Sequence, residues 1–158
     1  MVRLLKTIRF DQTDDRVFPQ AAGPGEWAVS GAFAFADPGG IAGKPRQAFV
    51  NGFLSVDGLG WSTFATVANA EEGLRQELTE RLARQCVERL GAPSLAEALP
   101  VAEAEIAFVA ELCAEAPINT VFAVSRAVGE DGQVREAFRT VEPPQAPIHT
   151  RVWDVVPE

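Results

Sequence analysis

The first ten residues alternate. Val2, Leu4, Ile8 and Phe10 fall on one face of an extended chain, and Arg3, Thr7 and Arg9 on the other, which predicts a half-buried strand. A polar stretch, Asp11 to Arg16, and a Pro/Gly loop ending at Gly25 follow. From Trp27 to Ala36 the alternation returns: Trp27, Val29, Phe33 and Phe35 share one side, while Ala28, Ser30, Ala32, Ala34 and Ala36 make the other nearly smooth. Asp37 to Pro45 is a loop by its Pro and Gly content. Arg46–Leu54 and Trp61–Ala68 predict a hairpin around Asp57-Gly58.

The period then changes. Leu74, Leu78, Leu82, Cys86 and Leu90 form a slowly drifting apolar stripe, the mark of an amphipathic helix. Asn69 and Glu72 suit a capping box at its start, Glu77–Arg81 and Glu80–Arg84 support it, and Gly91 and Pro93 stop it. Ser94 with Glu97 caps a short turn, after which Pro100 starts, or kinks, a second helix reaching about Ala116. Asn119–Val141 is a hairpin around Glu130-Asp131-Gly132. Its register follows from chemistry. A three-residue loop with Gly132 left-handed sets Val128 opposite Val134, Val124 opposite Phe138 and Arg126 opposite Glu136. That register leaves Ala123, Ser125 and Ala127 on the other face beside Arg135 and Arg139. After Pro143-Pro144 and Pro147, Ile148–Val156 reads as a last strand.

The expected fold is therefore α+β: a mostly antiparallel sheet of about seven strands, with two main helices inserted between strands four and five. At 158 residues, with 47% hydrophobic and 23% charged residues, the chain is the size of one domain spanning residues 1–158. Whether the strands form one sheet or two is open.

Charge narrows the partners. A net charge of -8 and the lack of any Lys/Arg run argue against nucleic acid and against an acidic lipid surface. No window approaches the length of apolar chain that a membrane helix needs. Two cysteines, Cys86 and Cys113, are too few for a disulfide framework, which predicts a cytoplasmic protein with reduced, buried thiols.

The parts for most chemistries are missing. There is one histidine, His149, no Cys-x-x-Cys and no Gly-x-Ser-x-Gly, so no metal site and no cofactor is expected. The loop Gly39–Pro45 fails as a phosphate loop, with Pro38 and Pro45 where Gly and Ser/Thr are required. Asp11, Asp14 and Asp15 cluster after the first strand and suit Asx-type turns, or a cation if they converge. Glu105 falls inside the apolar arc of Val101, Ala102, Ile106, Val109, Leu112 and Cys113, where burial would raise its pKa and let it serve as an acid or base. Arg135 and Arg139, with Arg151 and His149 from the last strand, offer a cationic face over small residues that suits a carboxylate or phosphate. The same arginines suit an exposed face that resists edge aggregation. Trp27, Trp61 and Trp153 fill a core or rim a pocket.

Three stretches carry a resemblance: Ile8-Arg-Phe-Asp-Gln-Thr-Asp-Asp-Arg-Val-Phe18, Pro24-Gly-Glu-Trp-Ala-Val-Ser-Gly-Ala-Phe33 and Arg46-Gln-Ala-Phe-Val-Asn-Gly-Phe53, with Phe138-Arg-Thr near the end. Together they resemble an uncharacterised bacterial family of short proteins, a domain of unknown function. The resemblance covers most of the chain and implies a bacterial cytoplasmic origin, with no assigned activity and no catalytic residues to carry over. Three roles remain. The first is a non-catalytic accessory or protein-interaction domain, homo-oligomeric. The second is a binder of small anionic ligands. The third is an enzyme using Glu105 or the Asp11/Asp14/Asp15 cluster.

Overall fold

The computed structural model describes residues 1–142. Strand β1, Val2–Ile8, leads into a short helix α1, Thr13–Val17, and then strand β2, Trp27–Val29. Helix α2, Gly43–Asn51, is followed by β3, Phe53–Ser55, β4, Trp61–Ser62, and β5, Phe64–Ala70. The long helices α3, Glu72–Arg89, and α4, Leu95–Cys113, precede the hairpin β6, Val121–Val128, and β7, Val134–Val141.

All seven strands join one antiparallel sheet in the order β4-β3-β2-β1-β5-β6-β7. β1 is at its centre. It pairs along its whole length with β5, from Val2 opposite Ala70 to Ile8 opposite Phe64, and with β2 through Leu5 opposite Ala28. That double pairing buries Leu4 and Leu5 together, which half-buried alternation does not predict. Helix α4 packs across β1 and β2, α3 lies alongside α4, and α2 sits against β6. Leu78 and Leu82 of α3 and Ile106 and Val109 of α4 close the core above the sheet. This is the expected α+β class.

The strand boundaries differ from expectation in instructive ways. Arg46–Leu54 is not a strand. Gly43–Asn51 is helical, with Pro45 in its first turn, and only Phe53–Ser55 is extended. Ala48 and Phe49, adjacent in sequence, are both buried, which breaks a period of two and fits a helix. The hairpin around Asp57-Gly58 survives in shortened form, with Leu54 opposite Trp61. Trp27–Ala36 stops being a strand at Val29, because Gly31 takes a left-handed φ of 105° and turns the chain into one 3₁₀ turn, Ala32–Ala34. A Cβ at Gly31 would lie 2.8 Å from the Trp61 ring and 2.9 Å from Leu54 Cβ, so only glycine fits there. The smooth alanine face expected on this segment therefore does not form as a sheet face.

Trp61–Ala68 splits at Thr63 into β4 and β5, and five strands precede α3 instead of four. Asn69 does not cap α3, because it is still paired within β5 opposite Arg3, and the helix begins without a side-chain cap. Ser94 caps α4 through a 3.2 Å bond from the Glu97 amide, and Pro100 sits inside this one helix rather than starting another. The expected last strand, Ile148–Val156, lies outside the described residues. No helix among those described is long and apolar enough to cross a membrane.

Candidate functional site

The β6–β7 hairpin takes the register that its side chains dictate. Gly132, at φ 79°, closes the loop, and Val128 faces Val134, Val124 faces Phe138 and Arg126 faces Glu136. Asp131 accepts the Gln133 amide at 3.0 Å and holds the turn. Alternation then gives the hairpin two different faces. One carries Phe122, Val124 and Arg126 with Phe138 and Glu136, beneath α2 and α4. There Phe138 meets Phe108 of α4, ring centroids 5.4 Å apart. The other carries Ala123, Ser125 and Ala127 with Arg135, Ala137 and Arg139.

Arg126 is the organising residue of the covered face. Its side chain is 0% exposed. Nε donates to Glu136 at 2.6 Å, and Nη1 donates to the Phe49 and Gly52 carbonyls at 2.8 and 2.9 Å. Nη2 donates to the Ser30 carbonyl and, at 3.1 Å, to Ser30 Oγ. A guanidinium has five N–H donors, and these partners use all five. The arginine thus ties the end of α2, the end of β2 and both hairpin strands together, and has no donor left for a ligand. The Ser30 hydroxyl donates to the same Glu136 carboxylate and closes the network. Burial pulls the Arg126 pKa below its ordinary value, against the opposing pull of Glu136 and Glu105.

Glu105 lies beside this network, half-buried on α4. Burial raises its pKa above the usual carboxylate range and nearby Glu136 raises it further, while the Gly31 amide and Arg126 pull the other way. The sequence expectation of a perturbed carboxylate holds in direction, and its cause is burial first. Arg126 acts on it only through its charge, since its donors are already spent on other acceptors.

On the open face, Arg135 is 69% exposed and makes a long 3.5 Å contact to Asp131. Arg139, opposite Ala123, is also exposed. Four residues of extended chain put the two arginine backbones roughly 13 Å apart on one face. Their partners from the sequence reading, His149 and Arg151, lie outside the described residues, as does Trp153. Among the described residues β7 is one of the two edge strands of the sheet, and six of its eight residues are exposed.

The three aspartates do not converge as a set, although Asp11 and Asp14 line the same cleft. Asp11 accepts the Thr13 amide at 2.8 Å in an Asx turn, which holds its pKa below the usual range. Asp14 is buried and accepts both the amide and the hydroxyl of Thr63. Asp15 pairs with Arg9 at 2.8 Å. Cys86 and Cys113 are free and buried, and burial pushes both thiols up, Cys113 to about 12. Trp61 belongs to the core, packed 5.2 Å from Phe35, while Trp27 lies under Lys6. The residue whose part was underestimated is Arg126. Its position between Val124 and Val128 on an apolar strand face was the available signal, but its backbone partners could not be seen while α2 was read as a strand.

A family model described as a family of unknown function (DUF6505) matches residues 1–154. No curated protein and no solved structure matches the chain.

Proposed function

Since the chain belongs to this family of unknown function, we propose its role from geometry alone: a non-catalytic, cytoplasmic interaction domain that assembles with a second copy of itself through β7. The observation that carries this reading is β7 itself, among the described residues an eight-residue edge strand exposed over most of its length. Such a strand presents a row of backbone donors and acceptors to any chain that lies beside it. A perpendicular two-fold axis at Phe138 would set Ala137 opposite the partner's Arg139 and Arg135 opposite the partner's Val141, with no like charges facing. The buried free thiols support a reducing compartment. The acid/base reading of Glu105 loses support from the saturated clamp beside it, and that of the aspartates from their separate turn and pairing duties.

Native mass spectrometry at micromolar concentration tests the proposal. The wild type is expected at twice 17.0 kDa. Ala137→Lys puts a long charge in the middle of the open face, and is expected to give a folded monomer whose unfolding midpoint falls by the lost dimer linkage and no longer depends on protein concentration. A wild-type monomer overturns the reading. A second reading, a small anionic ligand held by Arg135 and Arg139, is favoured by their shared face over Ala123 and Ala127. It would appear in the same spectrum as a retained mass, lost in Arg139→Gln.

A further inference from the structure

A cleft of about 250 Å³ opens where β1 ends, lined by Arg9, Phe10, Asp11, Thr13, Asp14, Thr63 and Phe64. Its charged groups are incompletely used. Arg9 is ion-paired with Asp15 through Nη2 at 2.8 Å, while its Nε is shielded from solvent and donates to no acceptor. Asp14 is 6% exposed and receives only two neutral donors, both from Thr63, although an ionised carboxylate takes about four. No basic side chain pairs with Asp14 among the described residues. The half-buried Arg9, through its shielded Nε, and the buried Asp14, groups of opposite charge each with capacity to spare, thus share one wall. Leaving such groups unmatched is costly, and a ligand that matches both recovers that cost. On the apolar side, Phe10 and Phe64 stack at 5.1 Å and 47°.

We infer that this cleft binds a small zwitterion, a molecule carrying one carboxylate and one ammonium on an apolar body, such as a free α-amino acid. The carboxylate meets Arg9, the ammonium meets Asp14 and Asp11, and the apolar part lies on the Phe10–Phe64 pair. A simple anion fits poorly, because Asp11, Asp14 and Asp15 outnumber Arg9. A simple cation leaves the Arg9 Nε unmatched. The site lies on β1, α1 and the β4–β5 junction, so it stands or falls separately from the β7 interface.

The test is an amide-resolved NMR titration of the full chain with L-phenylalanine, phenylacetate and phenethylammonium in parallel. L-Phenylalanine is expected to shift the amides of Asp11, Thr13, Thr63 and Phe64 saturably, and to bind roughly ten-fold or more tighter than either singly charged analogue. Arg9→Gln is expected to bring L-phenylalanine down to the level of phenethylammonium. Asp11→Asn leaves the Thr63 cap intact and is expected to bring it toward phenylacetate. The inference is overturned if no saturable shift appears at those amides up to millimolar L-phenylalanine. Equal binding of phenethylammonium and L-phenylalanine, or an Arg9→Gln chain that binds as the wild type does, overturns it as well.

Discussion

At the scale of single residues, the hairpin depends on one guanidinium. Arg126 is buried at a cost in desolvation and repaid by five hydrogen bonds, most of them to backbone carbonyls. Arg126→Met removes the donors and leaves the Phe49, Gly52 and Ser30 carbonyls and the Glu136 carboxylate without them. The expected loss is about 3 to 5 kcal/mol of unfolding free energy, read by urea denaturation. Arg126→Lys should recover little of it, since one ammonium cannot span the fork. Glu105 gives a prediction with a sign. Its folded pKa is raised, so its neutral form suits the fold, and stability is lost as pH rises through that folded value. Glu105→Gln should therefore match the wild type in acid and exceed it increasingly above the usual carboxylate range, in thermal melts across pH. An unchanged pH profile would mean that the carboxylate is not held in this environment.

At the scale of elements, hairpin β6–β7 was legible to the residue, because Val–Val, Val–Phe and Arg–Glu pairs all agree on one register and one loop. α3 and α4 were legible from their apolar stripes. The region from Trp27 to Ala68 was not. There, Gly31 and the joint burial of the adjacent Ala48 and Phe49 override a period of two that short windows imitate, and the ring that leaves no room for a side chain at Gly31 is that of Trp61, far along the chain. At the site, Glu105 was legible because an acid inside an apolar arc stands out, whereas Arg9 hid among ordinary strand-end polar residues. The two left-handed glycines separate these effects experimentally. Nothing stands within 4 Å of a Cβ at Gly132, so Gly132→Ala should cost about 1 to 2 kcal/mol of conformational strain alone. Gly31→Ala adds the clash with Trp61 and Leu54 and should cost clearly more in the same equilibrium unfolding measurement.

At the scale of the whole molecule, the sheet is strongest in its middle. β1 is paired on both sides and roofed by α4, whereas β7, among the described residues, is paired on one side and held to the body mainly through Arg126 and Phe138. Hydrogen exchange of the monomeric Ala137→Lys chain should show this gradient, with amides of β1 and β5 opening only in global unfolding and those of β7 less protected by on the order of a hundred-fold or more, whereas in the proposed wild-type dimer the outward amides of β7 should gain protection. Protection of β7 equal to that of β1 would mean that its outer edge is covered in solution. The central place of β1 also matters during synthesis. A ribosome delivers Val2–Ile8 ahead of the other strands described in this sheet, yet the neighbour it pairs with over its full length, β5, emerges only after α1, α2 and three further strands. Until then the nascent chain carries an apolar strand with one edge open, and the final sheet cannot assemble by adding pieces in the order they are made. The most rigid part of the finished protein is the part that waits longest to become rigid.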